Sequence, residues 1–184
     1  MFRSLIMRIY LAGLDVFLPD PMKAARAKQE ICQKYGFIGM FPFDNNLNLT
    51  HLSPKEAGVA IYKSNIQLMD SCDLIVANMT PFRGSSMDVG TAFEMGYMTA
   101  QGKPVFGYTN DGRLFADRIP QISADLDNWG MAIEHFDMVD NLMLEAAIIV
   151  SGGELRSQQI TQENYYTELK IFEEVVKVAA EKLK

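Results

Sequence analysis

The chain has 184 residues, with 17 Lys and Arg against 23 Asp and Glu, giving a net charge of −6. That balance argues against DNA, RNA and anionic membrane as partners, because the field of the protein repels polyphosphates. A 48% hydrophobic share with 22% charged residues suits one folded domain that buries its core without a staple.

Cys32 and Cys72, with His51 and His135, make neither a disulfide framework nor a zinc set. The thiols suggest a reducing, cytoplasmic setting, and no cofactor or metal is expected. The segment up to Phe17 is interrupted by Arg8 and Asp15 and reads poorly as a signal peptide. No run approaches the roughly 18 apolar residues of a membrane span.

In chain order, the first strand is expected over Ile6 to Ala12, closed by Gly13. Pro19 and Pro21 precede a helix over Met22 to Lys34 that stops at Gly36. A second strand falls over Phe37 to Phe41, ended by Pro42, and Phe43 to Lys55 reads as a polar loop containing Asn45-Asn46. A helix over Glu56 to Ser71 has only a fair period through Val59, Ile61, Ile66 and Met69. Cys72 to Met79 holds Leu-Ile-Val-Ala, a buried-strand signal broken by Pro81 and Gly84.

The next helix runs from Thr91 to Gln101 and ends at Gly102, followed by a fourth strand over Pro104 to Thr109. Residues 110 to 140 read as mostly irregular, with Gly112, Pro120 and Gly130. This stretch, with Trp129, is as consistent with a lid or pocket wall as with a surface excursion or subunit contact. A helix over Asn141 to Val150 follows, then Ser151-Gly152-Gly153. The last helix, Asn164 to Leu183, places Tyr165, Leu169, Phe172, Val176, Ala179 and Leu183 on one face. Alternating strands and helices imply a single-domain α/β fold, a doubly wound parallel sheet of about five strands, Rossmann-like or flavodoxin-like, with helices on both faces. Ligands bind such sheets at the carboxyl ends of strands, so the loops after Ala12 and Met79 are where chemistry is expected.

Those loops carry Gly13 and Asp15, then Thr80 through Gly90 with Arg83 as the only cation. Asp88 and Glu94 lie six residues apart across a loop-to-helix junction, where Gly90 permits a sharp backbone turn. On this reading Glu94 sits in the first helical turn and points back toward the strand ends. A carboxylate there is a competent nucleophile at the anomeric carbon of a sugar, and Asp88 can bind a hydroxyl beside it. Thr91-Ala-Phe-Glu94 is equally a capping box, and Asp88 equally a turn residue. Spacing alone leaves both open. Gly84 and Gly90 form no dinucleotide fingerprint and no P-loop.

The run from Cys72 to Tyr97, containing Met79-Thr-Pro-Phe-Arg-Gly-Ser-Ser-Met-Asp-Val-Gly-Thr-Ala-Phe-Glu94, resembles the nucleoside 2-deoxyribosyltransferase family. Ile9-Tyr-Leu-Ala-Gly13 with Phe17, Pro42-Phe-Asp44-Asn45, Gly102-Lys-Pro104 and Asp140-Asn-Leu-Met143 resemble family blocks in the same order. The likeness spans about residues 8 to 145. It implies exchange of the base of a 2′-deoxynucleoside through a covalent 2-deoxyribosyl-glutamate, with retention. In that resemblance Glu94 is the nucleophile, Tyr10 orients it, and Asp88 binds the sugar hydroxyls. Phe17 and Met143 match apolar walls of the pocket and Asp44 a residue of the base-pocket loop, and Gly13, Arg83 and Gly84, in the two loops that bear the likeness, are further substrate-binding candidates.

Asn141 matches an asparagine that reaches the sugar 5′-hydroxyl from a neighbouring subunit, which implies a homo-oligomer; alone it reads as a helix N-cap. Asn65 stands where some members carry an aspartate that helps protonate the leaving base. An amide delivers no proton at neutral pH, so the acid and the base preference stay open. The implied partners are 2′-deoxynucleosides and free purine or pyrimidine bases. Two other functions fit the residues. One is an N-glycosidase on 2′-deoxynucleosides or their 5′-monophosphates, with Ser85-Ser86 near Arg83 for a phosphate. The other is a non-catalytic nucleotide-binding module in which Glu94 merely caps its helix.

Overall fold

The structure, a computed structural model, describes residues 6–44 and 47–184. Of the residues singled out above, Asn45 and Asn46 and the first five residues lie outside that description.

A five-stranded parallel sheet forms the centre, in the order β2-β1-β3-β4-β7. Its strands are β1 (Arg8–Ala12), β2 (Ile38–Met40), β3 (Leu74–Asn78), β4 (Val105–Thr109) and β7 (Leu155–Ser157). Between β4 and β7 lies a separate two-stranded antiparallel ribbon of β5 (Gln121–Ser123) and β6 (Leu126–Asp127). The helices are α1 (Pro21–Lys34), α2 (Pro54–Asp70), α3 (Val89–Ala100), α4 (Phe115–Arg118), α5 (Leu142–Val150) and α6 (Lys170–Leu183). The doubly wound expectation holds, with the flavodoxin-like strand order.

Strand periodicity sorts the core into two layers. Ile9, Leu11, Leu74, Val76, Phe106 and Tyr108 face α1 and α6, against Ala25, Cys32, Phe172 and Val176. Tyr10, Ala12, Ile75, Ala77 and Val105 face the other way, onto Leu68 and Met69 of α2, Met95 and Met98 of α3 and Ile148 of α5. Burial in these layers pushes the Cys32 thiol up to about 12 and the Cys72 thiol up to about 11. Both therefore stay protonated at neutral pH, inert parts of the core.

Close approach constrains two glycines. A Cβ on Gly13, whose φ is +153°, would lie 2.6 Å from both Asn78 Cβ and Asp15 Oδ2. One on Gly153 would run into the Val105 carbonyl, where the chain enters β7.

Below the end of β1 lies a buried ion pair. Lys28 Nζ is 2.6 Å from Asp15 Oδ2, with both side chains 2% exposed. Asn78 Nδ2 donates to the same oxygen at 3.2 Å. The ammonium also sits 5.3 Å from the Tyr108 ring centroid and 5.2 Å from that of Phe172. A charge this deep is tolerated because carboxylate and aromatic faces replace its water.

Two local expectations need correction, and two stretches gain detail. Helix α6 begins at Lys170, not Asn164. Asn110 Nδ2 donates to the carbonyls of Tyr165 and Glu168, acceptors that a continuous helix would use itself, and the Tyr165 hydroxyl donates to Asp111 instead of joining the apolar stripe. Helix α2 starts at Pro54 because Ser53 and Glu56 form a capping box; Val59 and Ile61 on it are exposed, while Met69 is buried. The fifth strand, β7, is a three-residue edge with one apolar residue, too short for a periodicity signal. Residues 110–140 hold the short α4 and the β5-β6 ribbon, and Trp129, in the turn that follows β6, is 86% exposed. Among the described residues, no helix is long and apolar enough to cross a membrane.

Candidate active site

The chain leaves β1 for β2 on one side and returns to β3 on the other, so the connections that follow β1 and β3 part at the carboxyl ends of these paired strands. A cavity of about 590 Å³ opens there. Gly13, Val16 and Phe17 come to it from the β1 end, and Asp88, Gly90, Thr91 and Glu94 from the start of α3. Its remaining wall is apolar, from Pro42, Phe43, Leu47, Leu49 and Ile61, with Asn65 of α2. A smaller pocket of about 300 Å³ adjoins it, sharing Asn65, Gly90 and Glu94.

Glu94 lies in the second turn of α3, because the helix already begins at Val89. The N-cap is Asp88, whose Oδ2 accepts from the Thr91 N–H at 3.0 Å and the Thr91 hydroxyl at 3.1 Å. Thr91 is thus an inner helical residue, and the Thr91–Glu94 capping box does not form. Gly90 adopts no positive φ. Its missing side chain matters differently: a Cβ would sit 3.0 Å from Asp88 Oδ2, in the mouth of the cavity.

The Glu94 carboxylate meets one hydroxyl. Tyr10 O–H donates to Oε1 at 2.5 Å, across 84 residues of chain. Tyr10 is fully buried beneath the site and is no part of the cavity wall. Strand parity delivers it: Tyr10 faces α2 and α3, while Ile9 and Leu11 face the opposite layer. Burial pushes the Glu94 carboxyl up to about 7 from 4.5. The Tyr10 hydrogen bond works against that rise, and the Asp88 charge adds to it. Burial, with the carboxylate beside it, holds the Tyr10 hydroxyl far above its ordinary range, so it stays a donor.

Asn65 contributes the other unusual group. Its Oδ1 is buried and accepts no hydrogen bond among the described residues. A buried polar atom without a partner is costly, so an acceptor left open beside a cavity is available to a ligand.

A model of the family described as nucleoside 2-deoxyribosyltransferase matches residues 9–143. The chain belongs to the nucleoside 2-deoxyribosyltransferase family. A Schizosaccharomyces pombe relative, the uncharacterised protein C191.05c, is 33% identical over 182 residues, covering 88% of this chain and 86% of that one. The solved 2-desoxiribosyltransferase from Leishmania mexicana is 31% identical with a TM-score of 0.62, over 75% of this chain and 85% of that one. A conserved protein from Enterococcus faecalis V583, at 19% identity, shares the fold with a TM-score of 0.56 over 95% of this chain and 99% of that one.

Of the positions that the family resemblance singled out, one cavity unites Glu94, Asp88, Gly13, Phe17 and Asn65, with Tyr10 beneath. Asp44 stands behind the wall: its Oδ2 accepts from the Phe41 N–H at 2.7 Å and from Gln29 Nε2 at 3.0 Å, which fixes the turn carrying Pro42 and Phe43. Arg83 and Gly84 line a different cavity. Arg83 approaches the first cavity through Phe17, with its guanidinium carbon 4.9 Å from that ring centroid.

Asn141 and Met143 do not line the cavity of their own chain. The Asn141 amide donates to Glu134 at 2.7 Å while its oxygen caps α5 through Met143 N, and Met143 is 70% exposed. The hydroxyls of Ser85 and Ser86 are spent on the Arg118 carbonyl and on Asp140, so that pair offers no open phosphate cradle. Trp129 lines none of these cavities. The apolar wall of Phe43, Leu47 and Leu49 lies in the stretch that sequence pattern assigns to a polar loop. Its only sequence signal is three large apolar residues among polar ones, with no strand or helix to bury them.

Proposed function

We propose that this protein is a nucleoside 2-deoxyribosyltransferase that exchanges the base of a 2′-deoxynucleoside, with Glu94 as nucleophile. The observation that carries the reading is Glu94 itself: a carboxylate buried in a nucleoside-sized cavity, held by one tyrosine hydroxyl, with Asp88 on the same wall. In the first step a Glu94 oxygen bonds to C1′ as the C1′–N bond to the base breaks, its electron pair leaving with the base. In the second step a nitrogen of the incoming base bonds to C1′ as the Glu94 ester bond breaks, and its N–H proton passes to the hydroxide left when water protonated the departing base. Two inversions give retention. Asp88 receives the sugar hydroxyls, and the apolar wall from Phe17 to Ile61 takes the base. Asn65 accepts an N–H from the base edge and donates to an acceptor, but the leaving base takes its proton from water.

Incubation with deoxyinosine plus adenine is expected to yield deoxyadenosine, followed chromatographically. Equal hypoxanthine release with no acceptor present would mean that water is the normal second nucleophile, and the protein a hydrolase. No turnover with intact binding would leave a nucleoside-binding module.

Attack requires ionised Glu94, so the rate is expected to rise as pH passes upward through about 7. Tyr10→Phe removes the bond that lowers this carboxyl. It is expected to move the acidic limb of the rate–pH profile to higher pH and cut the neutral-pH rate by about tenfold. An unchanged profile would remove Tyr10 from the tuning role.

The exposed Met143, next to Asn141 at the start of α5, supports a second copy that brings Asn141 to the neighbouring cavity. Sedimentation at assay concentration is expected to show a dimer or larger assembly. An active monomer would overturn this part.

A further inference from the structure

The loop between β3 and α3 borders a second cavity, of about 740 Å³, on the side away from Glu94. Three of the chain's seven arginines, Arg83, Arg113 and Arg118, line it, and no carboxylate does. For a chain of net charge −6 this is a local reversal of sign.

The three cations are held in different ways. Arg118 is buried, with Nε donating to the Ser85 carbonyl at 2.8 Å, Nη1 to that of Arg113 at 3.2 Å and Nη2 to that of Val139. Its charge is offset by Asp140 at 3.7 Å and by the nearby Asp111 carboxylate. Arg113 gives Nε and Nη2 to buried Asp111, at 2.9 and 2.6 Å, and keeps Nη1 free of any hydrogen bond among the described residues. Asp111 is held well below the usual carboxylate range by that fork, which leaves Arg113 firmly charged.

Arg83 has no carboxylate partner among the described residues, and its guanidinium rests on the Phe82 ring at 4.5 Å. Its φ of +57° is left-handed, a conformation that costs a non-glycine residue about 1 kcal/mol or more. Phe82 N–H bonded to the Ser86 carbonyl at 2.9 Å closes the loop that holds it there. Tyr165 and Tyr166 supply the opposite, aromatic wall, with Tyr166 6.4 Å from Phe82.

We infer that this cavity is a binding site for a mononucleotide, separate from the catalytic one. Its phosphate pairs with Arg83 and the free edge of Arg113, and its base lies against the tyrosines. Guanidinium forks match phosphate oxygens in geometry as well as charge. The aromatic wall offers faces for a base, and the volume is that of a small-ligand pocket.

Calorimetric titration of the whole protein with 2′-deoxyadenosine 5′-monophosphate tests this. Binding is expected, weakened by added salt, and displaced by high inorganic phosphate. Arg113→Gln is expected to lower affinity by about tenfold or more. Arg113→Lys keeps a partner for Asp111 but loses the spare N–H, and is expected to weaken binding by about fivefold with an unchanged melting temperature. That variant serves if Arg113→Gln does not fold. Asn65→Ala, in the catalytic cavity, is expected to leave the affinity within about twofold. No binding by the wild-type protein overturns the inference. So does a loss in Asn65→Ala as large as in the Arg113 variants, because the nucleotide would then lie beside Glu94.

Discussion

Replacing Glu94 by alanine is expected to lower base exchange by a factor on the order of 10⁴ or more, because no other group in the cavity can form the bond to C1′. Among the described residues Asp88 is the only other carboxylate there, and its Oδ2 is committed to the N–H and hydroxyl of Thr91. The same substitution is expected to stabilise the fold at alkaline pH. The Glu94 carboxyl is raised from 4.5 to about 7, so the folded chain holds this proton more tightly than the unfolded chain. Stability from that difference is full below 4.5 and is lost as pH rises through about 7, a cost of about 3 kcal/mol by then. Glu94→Ala therefore gains most relative to wild type at pH 8 and least at pH 4, as urea midpoints would report. Near-normal turnover in the variant would dismiss the nucleophile role. A stability gain independent of pH would dismiss the buried-carboxylate account.

Lys28→Met is expected to cost about 3–5 kcal/mol, since it leaves the Asp15 carboxylate buried with Asn78 as its one side-chain donor among the described residues. Total stability of a domain this size is about 5–15 kcal/mol, so the loss takes a large share of it. Adding Asp15→Asn removes the stranded charge, and the double variant is expected to recover most of the loss. Urea unfolding of the three proteins checks both statements; a loss under about 1 kcal/mol in Lys28→Met would mean that Asp15 finds other compensation. The pair has a consequence for the site. Asp15 follows Gly13 and precedes Phe17, so the turn that brings Phe17 to the cavity is pinned by it.

Local pattern carried the reading of the sheet a long way. Leu-Ile-Val-Ala of β3 and Ile-Tyr-Leu-Ala of β1 are buried runs that periodicity finds directly. The switch-point rule then located the cavity between the loops that follow them. β7 escaped because Leu-Arg-Ser has no pattern of its own; it becomes a strand by adding to the exposed edge of β4. Tyr165 escaped because Asn110 and Asp111, far away in the chain, compete with helix formation for its backbone and hydroxyl. The arginine cavity escaped because its walls come from three separated segments, two of them in stretches that read as irregular.

At the site the division is sharp. Residue types and order, with Asp88 six positions before Glu94 and Tyr10 in the first strand, were determined by the sequence alone, as was the acidity that disfavours polyphosphates. Spacing could not separate nucleophile from capping residue, because both readings use the same Thr-x-x-Glu. Tertiary structure separated them: α3 starts two residues earlier, Asp88 takes the cap, and Glu94 turns into the cavity onto Tyr10. Hydrogen bonding over 84 residues and desolvation are properties of packed neighbours, and they raise a carboxyl to about 7 in a way no local window of sequence encodes.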